Sequence, residues 1–482
     1  MYALMLLARL ALAQSNEVCV ETEIVGPPDM PGQRADAGRP IRYAINRKGP
    51  PEPETVDASA LANLLPMIEP PGNGEAPIGV GVDATFDPFR PGHVVLRVTA
   101  SGRELPEEAK LPVHVVFVVE TSTTNASATT LDLSTIQDQT SLAPSEPTRL
   151  YTPTERIRVV KRALTEWFAE WDRPGTVEIV VWDQQAAILL PPTDVSDRAT
   201  IEAAIGRIRT GLAPQDPIPG KFALPVAIEI AAKRPAPCED HRVVVFTDGP
   251  QVETPVGDPI DQFAARLLKY SRLSVVILPN GPRRAPEYER LATTGRGVAW
   301  YADTTWEVRA ALDRAILPPR RVAQAVDLDV AFDRSQVAWA DLLGADPTGG
   351  PLATREQWTL LYDVMLRPET AANAGKPVAT VHWKADQKGW EGEAEGDVVL
   401  QREDVTASDG ASKDLRAVTG IVAFVELMKW EAAIHDWEWL SSSVEAASSP
   451  VHAEISAWYD VAKATWPGTP RWSALPFSEK PR

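Results

Sequence analysis

Three observations predict a doubly wound, mainly parallel α/β sheet at the centre of the chain. Val113-His114-Val115-Val116-Phe117-Val118-Val119 is an almost unbroken apolar run that stops at Glu120-Thr121-Ser122-Thr123-Thr124. Its β-branched composition and lack of alternation mark a strand buried on both faces, as parallel strands are. Val243-Val244-Val245-Phe246 repeats the design and stops at Thr247-Asp248-Gly249, an acid followed by a turn glycine. Around these two runs strand and helix patterns alternate, which builds a parallel sheet covered on both faces. Side by side, the two strands bring Glu120 and Asp248 to one crevice at the sheet's carboxyl edge, where open α/β sheets put their ligands.

Taken in order, each element has its own signature. Gly26 to Pro71 is rich in Pro, Gly and charge. Within it Pro40 to Asn46 alternates enough for a short strand or half-helix, and Val56 to Leu65 reads as a helix with Asp57 near its start. Pro77 to Phe86 and His93 to Ala100 alternate apolar and polar residues, as two strands of a small antiparallel unit do. Thr154 to Trp171 puts Ile157, Val160, Leu164, Trp167 and Phe168 on one helical face. Pro174-Gly175 then turns the chain into strands at Val177 to Trp182 and Ala187 to Leu190. Helices follow at Asp197 to Arg209 and Phe222 to Lys233, the second carrying Pro225 in its first turn, where it is tolerated. After the Asp248 strand come a helix at Pro259 to Tyr270, a strand at Leu273 to Leu278, a helix at Pro286 to Ala292, a strand at Gly297 to Tyr301 and a helix at Thr305 to Ile316.

Beyond Pro318-Pro319 the pattern changes. Short alternating runs at Ala325 to Phe332, Gln357 to Leu366, Pro377 to Trp383 and Asp397 to Arg402 predict a small β-sandwich or sheet. Helices then take over at Val418 to Ile434 and His452 to Ala464, where Trp430 and Trp437 read as core packing. Met1 to Ala13 reads as a signal peptide, with Ala11-Leu12-Ala13 as its cleavage site, although Arg9 interrupts the apolar run. The organisation is therefore a signal peptide (1–13), an N-terminal extension with short strands (14–110), the α/β domain (111–318), a β-rich domain (319–405) and a helical C-terminal region (406–482).

The ends of the two central strands resemble the metal-ion-dependent adhesion site of von Willebrand factor type A domains. That site is written Asp-X-Ser-X-Ser after the first strand and Thr-Asp-Gly after the fourth, with a threonine from an intervening loop. Ser122 matches the first serine, Thr124 stands for the second, Asp248 matches the second aspartate and Glu120 replaces the first. The loop falls at Gly211 to Lys221, which contains no threonine; Thr210 stands just before it and Asp216 is its one carboxylate. The resemblance runs through residues 111–318. With the extension that precedes them, from Pro91-Gly92-His93 to Leu111-Pro112, the order is similar to that of a group of bacterial extracytoplasmic proteins. It implies a surface for a protein partner, whose acidic group completes the coordination of Mg2+ or another divalent cation held by Ser122, Thr124, Asp248 and Glu120, with Asp216 as a substitute ligand.

The departures bear on that ion. Mg2+ demands near-octahedral oxygen geometry at about 2.0–2.1 Å, and a glutamate is one methylene longer than the aspartate it replaces. The motif is degenerate, and the reading favours a fold that has outlived its ion. Asn125 to Tyr151, rich in Ser, Thr, Gln and Pro, is inserted directly after the motif and reads as a flexible polar loop over the crevice, with Asp132 and Asp138 as spare carboxylates.

Composition narrows the function classes. The chain has 482 residues, 44% hydrophobic and 24% charged, ordinary values for globular protein. Lys and Arg number 48 against 66 Asp and Glu, and the net charge of −18 argues against nucleic acid as a partner. With Met1 to Ala13 as a signal peptide and no run of about 18 apolar residues to offer a transmembrane anchor, the protein reads as exported to the periplasm or cell envelope. Cys19 and Cys238 make neither a disulfide framework nor a zinc site, and Cys238-Glu239-Asp240-His241 reads as a solvated loop. His93, His114, His241, His382, His435 and His452 are scattered, none beside a nucleophile in a readable motif, and no phosphate-cradling glycine loop precedes a helix. The chain is read as a non-enzymatic interaction or adhesion module. A metal-free envelope scaffold is the alternative, and a hydrolase using the Glu120/Asp248 crevice stands behind it.

Overall fold

In the computed structural model the described residues are 37–46, 51, 56–63, 65, 78–102, 112–122, 128–132, 152–214, 223–233, 240–248, 271–278, 285–316, 321–344, 350–353, 357–386, 394–428, 437–445 and 450–465. They form helices α1 (Arg39–Asn46) and α2 (Ala58–Ala62), then strands β1 (Ile78–Phe86), β2 (His93–Gly102), β3 (Val113–Glu120), β4 (Ala128–Asp132) and β5 (Thr152–Glu155). Next come α3 (Arg156–Ala169), β6 (Gly175–Trp182), β7 (Ala186–Asp194), α4 (Arg198–Arg207), α5 (Ala223–Ala231), β8 (Asp240–Thr247), β9 (Arg272–Ile277), α6 (Pro286–Thr294), β10 (Arg296–Tyr301) and α7 (Thr305–Ile316). Strands β11 (Arg321–Phe332), β12 (Val337–Leu342), β13 (Gly350–Ala353), β14 (Gln357–Leu366), β15 (Pro377–Asp386) and β16 (Ala394–Gln401) lead to helices α8 (Lys413–Met428), α9 (Trp437–Glu445) and α10 (Pro450–Thr465).

The central sheet has the order β10-β9-β8-β3-β6-β7. Its strands are parallel except β7, which runs antiparallel to β6 at one edge. Every residue of β3 is buried, because both faces are covered. On one face Val115, Phe117 and Val119 pack against Leu164 and Phe168 of α3, Ile205 of α4 and Leu312 of α7. On the other, Val116 and Val118 meet Leu224 and Ile228 of α5 and Leu291 of α6. Each such side chain contributes roughly 1.5–3 kcal/mol when fully buried, so the unbroken apolar run is what holds the site strand in mid-sheet. The helix expected at Pro259 to Tyr270 lies outside the described residues, as do Cys19 and Cys238.

Strands from before and after this domain share one sheet, ordered β1-β2-β14-β12. It faces a second antiparallel sheet, β13-β11-β15-β16, and Val94, Leu96, Val98 and Leu360 of the first meet Val326, Val378 and Val381 of the second in one core. The other face of β2 and β14, with Val95 and Leu361, is covered by α1, α2, α8, α9 and α10 through Ile41, Leu61, Ile421 and Trp458. Coverage on both sides explains why β2 is buried along nearly its whole length. Strands β12 and β13 and helix α9 add to the elements read from the pattern. The patch at Pro40 to Asn46 is helical, because Ile41 packs among the C-terminal helices. Asp57 caps α2, accepting from the Ser59 and Ala60 amides.

The α/β domain is joined to these layers by buried charge. Arg42 of α1, fully buried, donates from Nε to Glu454 of α10 (2.6 Å) and from Nη1 to Glu307 of α7 (2.8 Å). Arg39 Nε lies 3.1 Å from Asp303 Oδ2, and Trp306 Nε1 donates to Glu454 at 3.1 Å. Thr304 and Glu307 form a reciprocal N-terminal cap on α7, with Glu307 Oε2 accepting from the Thr304 amide (3.2 Å) and Thr304 Oγ1 accepting from the Glu307 amide (3.3 Å). Burial, opposed by Arg42 and assisted by Asp303 and Glu454, pushes the Glu307 carboxyl up to about 7 from an ordinary 4.5. The folded state therefore holds a proton that the unfolded chain has already lost, so this stabilisation is full below the ordinary value and disappears as pH rises through about 7. Urea midpoints are expected to fall between about pH 5 and about pH 8, and Glu307→Gln to flatten that slope. An unchanged slope in the variant would place the titrating group elsewhere.

Candidate functional site

The crevice at the carboxyl edge is built from strand ends. β3 lies directly between β6 and β8, in register Val119 to Phe246 with β8, so both chains leave the sheet at the same rim. Glu120, with only 7% of its surface exposed, binds across it. Ser122 Oγ donates to Oε1 at 2.7 Å, while Oε2 accepts from Thr247 Oγ1 at 2.7 Å and from the Asp248 amide at 3.0 Å. The Tyr288 hydroxyl stands 3.2 Å behind Thr247 Oγ1. The extra methylene of Glu120 thus lets one carboxylate bridge the first and fourth strands of the domain.

Glu120, Ser122 and Asp248 are brought together as the sequence predicts. Thr124 and Asp216 lie outside the described residues. Near the latter, Thr121, fully buried, ties the loop at Gly211 to Ala213 to the end of β3: its carbonyl accepts from the Gly211 amide (2.7 Å) and its Oγ1 from the Ala213 amide (3.1 Å). Gly211 adopts φ 66°, a left-handed turn that favours glycine. Thr210 is half-buried immediately before it. The insertion read as a loop carries a ribbon at its ends, where β4 pairs antiparallel with β5 before the chain enters α3.

The residue that pattern reading missed is Arg156. It opens α3, is 1% exposed, and its Nη1 donates to Asp248 Oδ2 at 2.9 Å. A cation in the first turn of a helix opposes the macrodipole. That misplacement is visible in the sequence and signals a local carboxylate strong enough to overcome it. Asp248 Oδ1 is buried and accepts no hydrogen bond from a described residue. Burial first, then the Asp248 charge, push the Glu120 carboxyl up towards its neutral form, against the Ser122, Thr247 and Asp248 donors that lower it. The space beside Glu120, lined by Ile157, Val160, Phe246 and Leu278, has room for about one water molecule.

His241 corrects a second expectation. It belongs to β8 rather than a solvated loop, is 2% exposed and stacks on His114 of β3 with ring centroids 4.9 Å apart. Strand pairing, not local composition, buries it.

No family model and no curated protein matches the chain. Solved structures do resemble it. BatB from Bacteroides thetaiotaomicron is 19% identical, with 43% of this chain and 98% of that one covered and a TM-score of 0.32. An aerotolerance-related membrane protein from Bacteroides fragilis is 18% identical over 42% and 98%, with a TM-score of 0.32. A von Willebrand factor type A protein from Catenulispora acidiphila is 15% identical over 82% and 88%, with a TM-score of 0.31. In this chain's own sheet, counting from β3, the strands lie in the order 6-5-4-1-2-3, the doubly wound arrangement, with the motif residues at the ends of the first and fourth. The central domain has a von Willebrand factor type A-like fold.

Two substitutions separate the roles of the paired acids. Glu120→Gln removes a charge that burial already disfavours and is expected to change stability by about 1 kcal/mol or less. Asp248→Asn strands a buried guanidinium and is expected to cost about 3–5 kcal/mol, both read by urea unfolding. Equal losses would mean that the two carboxyls share one charge state.

Proposed function

We propose that the type A domain is a non-catalytic protein-interaction module whose adhesion site works without a divalent ion. The buried Arg156–Asp248 ion pair carries this reading. The guanidinium supplies beside Asp248 the positive charge that a dication brings, and burial with the Asp248 charge shifts Glu120 towards its neutral form. The ligand set does not fit Mg2+: Asp248 Oδ2 is taken by Arg156, the Ser122 proton goes to Glu120, and Glu120 is held by three donors. Among the described residues one oxygen, Asp248 Oδ1, is left unshared, far short of an octahedral shell. A partner's acidic group consequently has no ion to complete. Contact is made instead by the rim around Ser122, which is half-buried, and by the β4–β5 ribbon beside it.

The same geometry argues against acid–base chemistry. Glu120 and Asp248 are each 7% exposed and already engaged, whereas a general acid or base must reach a substrate proton. Among the described residues no helix is long and apolar enough to cross a membrane. Export, read from Met1 to Ala13, would bring the rim to partners in the envelope.

Thermal unfolding of the full chain is expected to be the same in Mg2+, in Mn2+ and in chelator. Arg156→Ala should lose about 3–5 kcal/mol and gain a divalent-dependent rise in Tm, because the vacated carboxylates then need a cation. A divalent response in the wild-type protein would overturn the proposal. A partner held on the immobilised chain should stay bound in chelator and be released by Ser122→Arg.

A further inference from the structure

Among the described residues, the opposite rim of the type A sheet gathers arginines. Arg242, third residue of β8, and Arg272, first residue of β9, are register partners on adjacent parallel strands, so their side chains leave the same face about 5 Å apart at the backbone. Arg296 opens β10 on the far side of β9, beside Leu273. Arg173 stands at the near end, just before Pro174, whose carbonyl accepts from the Val113 amide. Among the described residues, Asp240 is the acid that takes Nη2 of Arg242.

The arrangement leaves donors without acceptors. Arg242 is 3% exposed, and its Nε and Nη1 are buried with no hydrogen bond. Arg272 Nε is buried and equally unpaired, although the residue as a whole is only half-buried. The carbonyls at the end of α3, which reach this rim, are already taken: Arg198 donates to Phe168, Ala169 and Trp171. Burial, then the charge of Arg242, hold the Arg272 guanidinium down to about 9, and burial lowers Arg242 as well. Buried guanidinium donors left without acceptors are costly, in a protein where acids outnumber bases by 66 to 48.

We propose that this rim is an oxyanion site in which Arg242 and Arg272 hold a dianionic group of the phosphate type, with Arg296 and Arg173 at its mouth. Guanidinium forks match phosphate oxygens two at a time, and a dianion balances the excess better than a single carboxylate. The site lies about 20 Å from Asp248, six strand residues away, and is separate from the crevice proposed above. Its ligand is either free phosphate or a phosphorylated side chain.

The full chain is titrated calorimetrically at constant ionic strength with inorganic phosphate, with phosphoserine and with acetate. Saturable binding is expected for the phosphates and at least tenfold weaker binding for acetate. Arg272→Met should lose about 10- to 100-fold in phosphate affinity, the worth of one charge-assisted contact, and should unfold at a higher temperature than the wild type when no phosphate is present. Arg296 sits at φ 55°, a conformation glycine adopts freely. Arg296→Gly should therefore fold and bind a few-fold more weakly, on the order of one exposed ion pair, which keeps the test open if Arg272→Met does not fold. Tighter binding of phosphoserine than of phosphate would assign the site to a modified protein, and equal binding to the free anion. No saturable heat in the wild type, or the same phosphate response in both variants, would overturn the proposal.

Discussion

A carboxylate at the end of a buried strand cannot be left without a counter-charge, and the type A site is arranged around how that requirement is met. Asp248 is delivered to the rim by β8 because Val243, Val245 and Phe246 are locked into the sheet. Desolvation there makes an isolated negative charge cost several kcal/mol. Arg156 answers it from the first turn of α3, a position that the helix dipole disfavours and that only a nearby anion makes stable. Burial, and then the charge of Asp248, drive Glu120 towards its neutral form. The hydrogen bonds from Ser122, Thr247 and the Asp248 amide oppose that shift, because donors favour the ionised carboxylate.

The same problem is solved differently where the type A domain meets its flanks. Arg42 and Arg39 lie among Asp303, Glu307 and Glu454, more acids than bases, all buried. The surplus is absorbed by a raised Glu307 and by the backbone amides at the start of α7, which act as fixed positive dipoles. Because Arg42 belongs to the first described helix and Glu454 to the last, this contact couples both ends of the chain to the domain. Gly38 is part of it: a Cβ there would come within 3.1 Å of Arg42 Nη2 and of Trp458.

What was legible in the sequence was whatever a local period encodes. The runs ending at Glu120 and Asp248, the face of Ile157, Val160, Leu164 and Phe168, and the β patterns after Pro319 all report burial on one or both faces, and burial is what periodicity measures. The pairing of β2 with β14, which joins Leu96 to Tyr362, has no local signature, since either strand reads the same next to any other. Arg156 escaped for a related reason. A helical pattern records which residues are apolar and cannot say that an arginine has turned inward to meet an acid far along the chain. His241 looked solvated beside Glu239 and Asp240 and became buried once β8 was set beside β3. The adhesion motif itself was legible as a set of residue types, while its charge state was not, because that depends on a cation the motif does not contain.

The two rims of the sheet can be compared on one scale. Helices α3 and α7 run antiparallel to the strands, so their amino ends lie at the carboxyl rim and their carboxyl ends at the other. This polarity favours acids above and bases below, and Asp248 and Arg242 each obey it. The difference lies in closure. At the carboxyl rim Asp248 has found its complement in Arg156, and the cavity beside Glu120 admits little more than a water molecule. At the amino rim the arginines repel one another across a strand register that fixes their spacing, and their remaining donors point at nothing the described chain provides. A surface that balances itself recognises a partner through shape and rim contacts, whereas one that does not is completed by a ligand of opposite charge.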